Sequence, residues 1–147
     1  MTKKTWIEKR DCNKSFNIKT IDKKFADIPK GSKMFIATPQ IIDDYVNRIP
    51  FGKSTDLATM RNDLAIEYQV DKTCPVTTGI FLRIVSEASF EELKAGNDIE
   101  EVTPFWRIVN PKSKLAEKLE CGIDFIEKQR ELEGCLLYTS DAADESL

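Results

Sequence analysis

Apolar side chains recur at helical spacing in three consecutive stretches between residues 38 and 96. The first follows Thr38, a good N-cap, and has Pro39 in its first turn, where the missing N–H of proline leaves no intrahelical bond unmade. Its apolar positions keep the 3.6-residue period and are Ile41, Ile42, Tyr45, Val46 and Ile49. Pro50 ends the pattern. The sequence therefore predicts an amphipathic helix between Thr38 and Pro50.

The second and third stretches are joined by a short polar connection, residues 70–74. The second begins near Thr55 or Asp56, and the third begins at Pro75 and ends at Gly96, a typical C-cap. The second helix has its apolar positions at Leu57, Met60, Leu64, Ala65 and Tyr68, and the third has a stripe at Phe81, Ile84, Val85 and Ala88. Two helices joined in this way are typical of a helix-turn-helix, although other all-helical folds show the same spacing.

The third helix has small polar residues at its start. Thr77, Thr78, Arg83 and Glu87 lie off its apolar stripe. Such a start suits a ligand with many hydrogen-bond acceptors, for example a phosphate backbone and base edges. A buried helix with an ordinary polar first turn has the same pattern, so both interpretations stay open.

The segments on either side are less regular. Residues 1–37 form a basic arm, with a short helix or extended stretch over 5–11 and enough large apolar groups to lie over the main body. Residues 102–109 predict an extended segment. A lysine-bearing loop is expected to follow as far as Cys121 and Gly122, and a final short helix closes at Gly134. Together these patterns predict one mainly α domain over 38–134.

Length and composition narrow the class of protein. A chain of 147 residues that is 41% hydrophobic fits one globular domain. No run approaches the roughly 18 apolar residues that span a membrane, and we expect a cytoplasmic protein that does not contact membranes. The chain has no histidine, and its four cysteines lack metal-ligand spacing. This excludes Ser-His and Cys-His catalysis, and we expect neither a metal nor a cofactor.

Charge is distributed unevenly. Residues 1–33 have ten Lys and Arg against four acids, whereas residues 34–134 have 12 bases against 18 acids. The basic arm suits phosphate contacts, but a solvated lysine-rich segment without a specific role would look the same. We expect residues 135–147 to be non-native, because Cys135–Glu145 is an allowed translation of the transposon adapter used in preparing sequencing libraries. Without this segment acids and bases balance.

Three motifs, in this order, resemble the DNA-binding domain of the alkylguanine-DNA alkyltransferases. Residues 49–55, Ile-Pro-Phe-Gly-Lys-Ser-Thr, are similar to the family's Ile-Pro-x-Gly-x-Val-x-Thr stretch before its helix-turn-helix. Residues 104–109, Pro-Phe-Trp-Arg-Ile-Val, are similar to its active-site segment, Pro-Cys-His-Arg-Val followed by Val or Ile. Gly122, Gln129 and Leu132-Glu133-Gly134 resemble its closing helix. The resemblance covers residues 38–134 and implies a winged helix-turn-helix with a short extended wing around Phe105–Val109.

The departures from the family pattern bear on function. Phe105 stands where the active family has its methyl-accepting cysteine, Trp106 stands at the place of the activating histidine, and Leu57 replaces a tyrosine. The family's Arg-Ala-Val-Gly is missing, and Arg83 is the candidate substitute for its arginine. The cysteine-less alkyltransferase-like proteins also have another residue at the acceptor position. The resemblance thus implies a non-catalytic protein that binds alkylated double-stranded DNA, flips the damaged base and passes the lesion to a repair-pathway protein.

The resemblance and the helix starts together supply candidate site residues. The DNA contacts are expected at Lys53, Thr55, Pro75, Thr77, Thr78 and Arg83. The base pocket is expected to be lined by Leu57, Phe105, Trp106 and Arg107, although the family's arginine is more often structural and two aromatics can also plug a core.

Two other functions stay open. One is a diverged methyltransferase that uses Cys74 or Cys121, and the other is a protein-interaction module that has lost DNA binding and shows an acidic or apolar surface over the third helix. In each case we expect a monomer.

Overall fold

A computed structural model describes residues 4–12, 14–134 and 136–137 of the chain. About half of these residues are helical. The helices are α1 (Trp6–Arg10), α2 (Pro39–Asn47), α3 (Leu57–Glu67), α4 (Pro75–Lys94), α5 (Lys114–Lys118) and α6 (Ile123–Glu133), with a 3₁₀ helix at Phe105–Arg107. The strands are β1 (Asn17–Thr20), β2 (Lys33–Ile36), β3 (Lys53–Ser54), β4 (Lys72–Thr73) and β5 (Leu136–Leu137). The fold is therefore dominated by helices, as the sequence predicts.

The three main helices begin where local sequence predicts. The Thr38 hydroxyl accepts a hydrogen bond from the Ile41 N–H at the start of α2, and the Asp56 carboxylate accepts one from the Thr59 N–H at the start of α3. Pro75 is the first residue of α4. These helix starts are confirmed because caps and proline act within a few residues of the chain.

A three-stranded sheet connects the arm to the body. β2 is central, pairing antiparallel with β1 and parallel with β4. In the second pairing Phe35 lies opposite Thr73, directly before α4. Phe35 in this sheet belongs to the main hydrophobic core, so the end of the arm packs against the body.

α4 passes through the centre of the molecule. Its buried apolar side chains include Leu82, Val85 and Ala88. Buried hydroxyls on the helix are satisfied locally, since Thr78 donates to the Cys74 carbonyl at 2.6 Å and Ser86 donates to the Leu82 carbonyl at 2.8 Å. The side chains that complete the main core include Phe35, Ile42, Val46, Met60, Leu64, Phe105, Trp106 and Ile126.

Two local predictions after α4 are wrong. Residues 105–107 form a 3₁₀ turn instead of an extended wing, with the Arg107 N–H donating to the Pro104 carbonyl at 3.0 Å. Aromatic and β-branched residues favour strands only where a neighbouring strand pairs with them, and here both faces of the segment are buried among helices. The stretch expected as a lysine-bearing loop contains α5, whose N-cap Ser113 accepts a hydrogen bond from the Ala116 N–H.

The final predicted segment, residues 135–147, lies mostly outside the described residues. Within it β5 pairs in parallel with β3. Among the described residues, no helix combines the length and apolar character needed to cross a membrane.

Candidate functional site

An open groove of about 450 Å³ runs along the N-terminal half of α4. α1, α3 and α5 supply its other walls. Its lining residues are Trp6, Lys9, Leu57, Val76, Gly79, Ile80, Arg83, Ile84, Leu115 and Lys118. The groove thus unites Leu57 and Arg83, which the sequence assigned to a base pocket and to DNA contacts.

The floor of this groove is apolar. Val76 is 52% exposed and Ile80 is 53% exposed, although both lie on a helix whose other faces are buried. Leu57 and Leu115 face them from α3 and α5. A concave surface with adjacent exposed aliphatic side chains is a feature typical of binding sites.

The rim of the groove is positive. The charged side chains that line it, in the described part of the chain, are the cations Lys9, Arg83 and Lys118. The Arg83 Nε atom is buried without a hydrogen-bond partner among the described residues, and lies 3.7 Å from a carboxylate oxygen of Glu87. Burial raises the pKa of Glu87, which also accepts a hydrogen bond from the Glu120 N–H. The Arg83 side chain is nevertheless 40% exposed, so its guanidinium can meet an anionic group in the groove.

α1 is docked so that Trp6 forms a wall of the groove. The Arg10 guanidinium makes two hydrogen bonds to the Glu92 carboxylate, at 3.0 and 3.2 Å. The Ile7 N–H donates to the Glu91 carboxylate at 3.0 Å. The Trp6 ring lies 4.3 Å from Lys9 Nζ and 5.3 Å from Arg83 Cζ, within the range of cation–π contacts.

Phe105 and Trp106 do not line a base pocket in this structure, contrary to the sequence prediction. Their exposed fractions are 0% and 1%. The Trp106 indole donates to the Glu133 carboxylate at 2.8 Å, and the Phe105 ring stacks on Phe125 at a centroid distance of 5.9 Å. Neither ring can meet a base without leaving the core, so the alternative interpretation, that the two aromatics plug the core, is confirmed.

Arg107 is also structural rather than a pocket residue. Its guanidinium makes two hydrogen bonds to Glu133, at 2.9 and 3.0 Å, and one to the Ile49 carbonyl at 2.8 Å. Burial opposes the charged form of Glu133, but hydrogen bonds from Arg107 and Trp106 outweigh it and hold the pKa of this carboxyl below its ordinary value. In this structure these contacts hold residues 105–107 in place.

Of the remaining predicted DNA contacts, Thr55 and Thr78 are buried, which is a correction to the prediction. Thr78 lies on the inner side of α4, because the helix is surrounded on more faces than its apolar stripe indicates. Pro75 and Thr77 are half-buried at the start of α4, and Lys53 is half-buried in β3, outside the groove lining.

Sequence reasoning missed Trp6, Lys9, Ile80 and Lys118 as site residues. The available signal was an apolar side chain off the stripe of α4, at Ile80, together with an aromatic beside lysines in the arm.

The two candidate nucleophiles are poorly placed for reaction. Cys74 is buried in a small cluster with Ile28 and Met34, away from the groove lining. Burial, with a contribution from the nearby Glu87 charge, raises the pKa of Cys121 to about 11, which keeps its thiol protonated at neutral pH. Among the described residues, no group of histidine, cysteine or acidic side chains is arranged to hold a metal ion.

Comparison of the chain with protein-family models, with curated proteins and with solved structures gave no match.

Proposed function

We propose that this chain is a non-catalytic DNA-binding protein that recognises an alkylated guanine turned out of the duplex and held in the α4 groove. The observation that carries the proposal is an apolar groove in which Leu57 and Arg83 lie together under a cationic rim, with no acid among the lining residues in the described part of the chain. An unstacked base is a flat apolar body attached to an anionic backbone. Such a ligand matches both properties of the groove.

The helix order supports the same proposal. α3 and α4 are consecutive helices joined by residues 68–74, an order compatible with a helix-turn-helix. In this proposal α4 is the recognition helix of a winged-helix domain, and its first two turns face the DNA. The wing would be supplied by a segment other than residues 105–109, which are buried. A cytoplasmic location and a monomeric state accompany the proposal as predictions.

Chemistry by a thiol has little support. A methyl transfer needs a thiolate that reaches the base, whereas the Cys74 side chain is buried and the Cys121 thiol is protonated at neutral pH. The proposal therefore expects the protein to leave the lesion unchanged.

The deciding experiment measures binding of the full chain to short labelled duplexes with and without a single O6-methylguanine, at roughly 50 and 200 mM salt. We expect tighter binding to the damaged duplex. With three groove cations meeting phosphates, we expect a log–log salt slope of about −3. The mass of the recovered protein should be unchanged. A methyl group on Cys74 or Cys121 would establish the enzyme instead, and equal binding of both duplexes would leave a general DNA-binding protein.

Charge-removing variants test whether the groove is the site. Arg83→Gln and Lys118→Gln should weaken binding of both duplexes and reduce the magnitude of the salt slope by about 1 each. Lys128→Gln is the matched control, because Lys128 is exposed on α6 and does not line the groove. Loss of binding in the control alone would place the DNA elsewhere.

A second function is favoured by the exposure of Val76 and Ile80. An apolar groove with a positive rim also fits an acidic amphipathic helix of a partner protein. An amphipathic peptide of leucine and glutamate tests this alternative directly. If the peptide binds and neither duplex does, the chain is a protein-interaction module.

A further inference from the structure

We infer that Trp6, from the N-terminal arm, is the surface on which the turned-out base stacks, so that the arm is part of the binding site. This inference rests on the proposed function and adds to it the residue that holds the base. It assigns the stacking of the base to Trp6 in α1 instead of to Phe105 and Trp106 in the 3₁₀ helix.

Burial removes the expected candidates. Phe105 and Trp106 have almost no exposed surface, and each ring is held by a neighbour in the core. Among the lining residues in the part of the chain that the structure describes, Trp6 supplies the one aromatic ring. Stacking on an aromatic ring is the usual way in which proteins hold an unpaired base.

The position of Trp6 is set by contacts outside the groove. Glu91 and Glu92 on α4 bind the Ile7 N–H and the Arg10 guanidinium, so α1 is fixed against the helix that forms the floor. The Thr5 hydroxyl accepts from the Glu8 N–H, and the Glu8 carboxylate accepts from the Thr5 N–H. A ring held in this way loses little additional freedom when a base stacks on it.

The charges around the ring fit the rest of a nucleotide. Lys9 Nζ and Arg83 Cζ lie over the Trp6 ring, 4.3 and 5.3 Å from its centroid, and Lys118 lines the same groove. A base on the ring would therefore place its own backbone phosphates near these cations. We therefore assign one unpaired base, with its flanking phosphates, as the ligand of the groove.

The chain contains a built-in reporter for this contact. It has two tryptophans, of which Trp106 is 1% exposed and bound to Glu133. A change in tryptophan fluorescence on addition of DNA therefore reports on Trp6. Trp6→Phe removes the Trp6 indole, so its tryptophan fluorescence comes from Trp106 alone. The phenylalanine still offers an aromatic ring at position 6.

The experiment titrates the full chain with the duplex that contains O6-methylguanine, while anisotropy measures binding and tryptophan emission measures stacking. We expect quenching in the wild type and none in Trp6→Phe. Trp6→Leu should bind the damaged duplex roughly tenfold more weakly, as expected for the loss of one base–aromatic stack, and Trp6→Phe should retain most of the affinity. Circular dichroism shows whether each variant is folded.

Phe90→Leu is the matched control. The Phe90 ring also has a lysine near it, with Lys94 Nζ 5.5 Å from the ring centroid. Both residues are on α4, but neither lines the groove. Its affinity for the damaged duplex should stay within twofold of the wild type. Normal binding by Trp6→Leu without quenching in the wild type would overturn the inference and leave the proposed function intact. Failure of the wild type to bind either duplex would overturn both.

Discussion

The Glu133 carboxylate joins three parts of the chain. It accepts hydrogen bonds from the Trp106 indole and the Arg107 guanidinium, and also from the Gly52 N–H at 3.3 Å. Its side chain is nearly buried, so the charge is compensated by these donors rather than by solvent. The residues that resemble an active-site segment are therefore fixed by a carboxylate from the closing helix.

Removing this carboxylate charge should destabilise the fold. Glu133→Gln leaves the buried Arg107 without its ionic partner, and we expect a loss of roughly 3 kcal/mol in the free energy of unfolding. Urea denaturation measures it. Glu67→Gln is the control, because Glu67 pairs with Arg48 at an exposed site, and it should cost less than about 1 kcal/mol. Equal losses in the two variants would contradict the role of burial.

The same carboxylate predicts a pH dependence. The pKa of Glu133 lies below its ordinary value of 4.5, so the unfolded state binds the proton more tightly. The ionised Glu133 carboxylate therefore contributes its full stabilisation of the fold above pH 4.5, and this contribution is lost as the pH falls through the lower pKa of the folded state. The stability difference between wild type and Glu133→Gln should shrink over that acid range. Glu87 and Asp43, whose pKa values are raised mainly by burial, act in the opposite direction. A difference that grows in acid would contradict the assignment.

At the scale of elements, α4 is shared by the core and the groove. Its C-terminal half binds α1 through Glu91 and Glu92, while Val76 and Ile80 in its first turns stay exposed. α1 has five residues and would not be stable alone, so its order depends on this docking.

Weakening the docking should open the wall of the groove locally. Glu92→Gln removes the ionic partner of Arg10 on α4, and we expect roughly tenfold faster hydrogen exchange at the Lys9 and Asp11 amides, which bond to the Thr5 and Ile7 carbonyls. Trp6 should also become more accessible to iodide quenching. Lys94 is also on α4 and makes an exposed ion pair with Glu120, and Lys94→Gln should change neither measurement. Unchanged exchange in Glu92→Gln would show that this pair does not hold α1.

Across the whole molecule, the arm and the body form one packed unit. Residues 17–36 supply two of the three strands in the main sheet. Among the described residues, the buried side chains of the main core lie between Phe35 and Ile126 in the sequence. The segment expected to be non-native adds the two-residue pairing between β3 and β5.

Ending the chain after Gly134 should therefore have little effect on stability. Two backbone pairings at the edge contribute little beside the core, and we expect a melting temperature within about 3 °C of the full chain. Calorimetry measures it. A fall of more than about 8 °C would show that residues 135–147 belong to the folded unit.

Local sequence predicted the helices well, because a cap, a proline or a 3.6-residue period acts within a few residues. Thr38, Asp56 and Pro75 mark the starts of α2, α3 and α4 as the sequence indicates. The pairing of β2 with β4 was not predictable in this way, because those strands are far apart in the chain and each is short.

The candidate site depended on contacts between distant residues. Trp6 and Arg83 lie beside each other although they are 77 positions apart in the sequence, and no local pattern indicates this. Phe105 and Trp106 look available for stacking in the sequence, but Glu133 and Phe125 hold them inside. The type of a residue and its spacing in the sequence indicate what chemistry its side chain can perform. Whether its side chain meets solvent, a ligand or the core is set by the elements that fold around it.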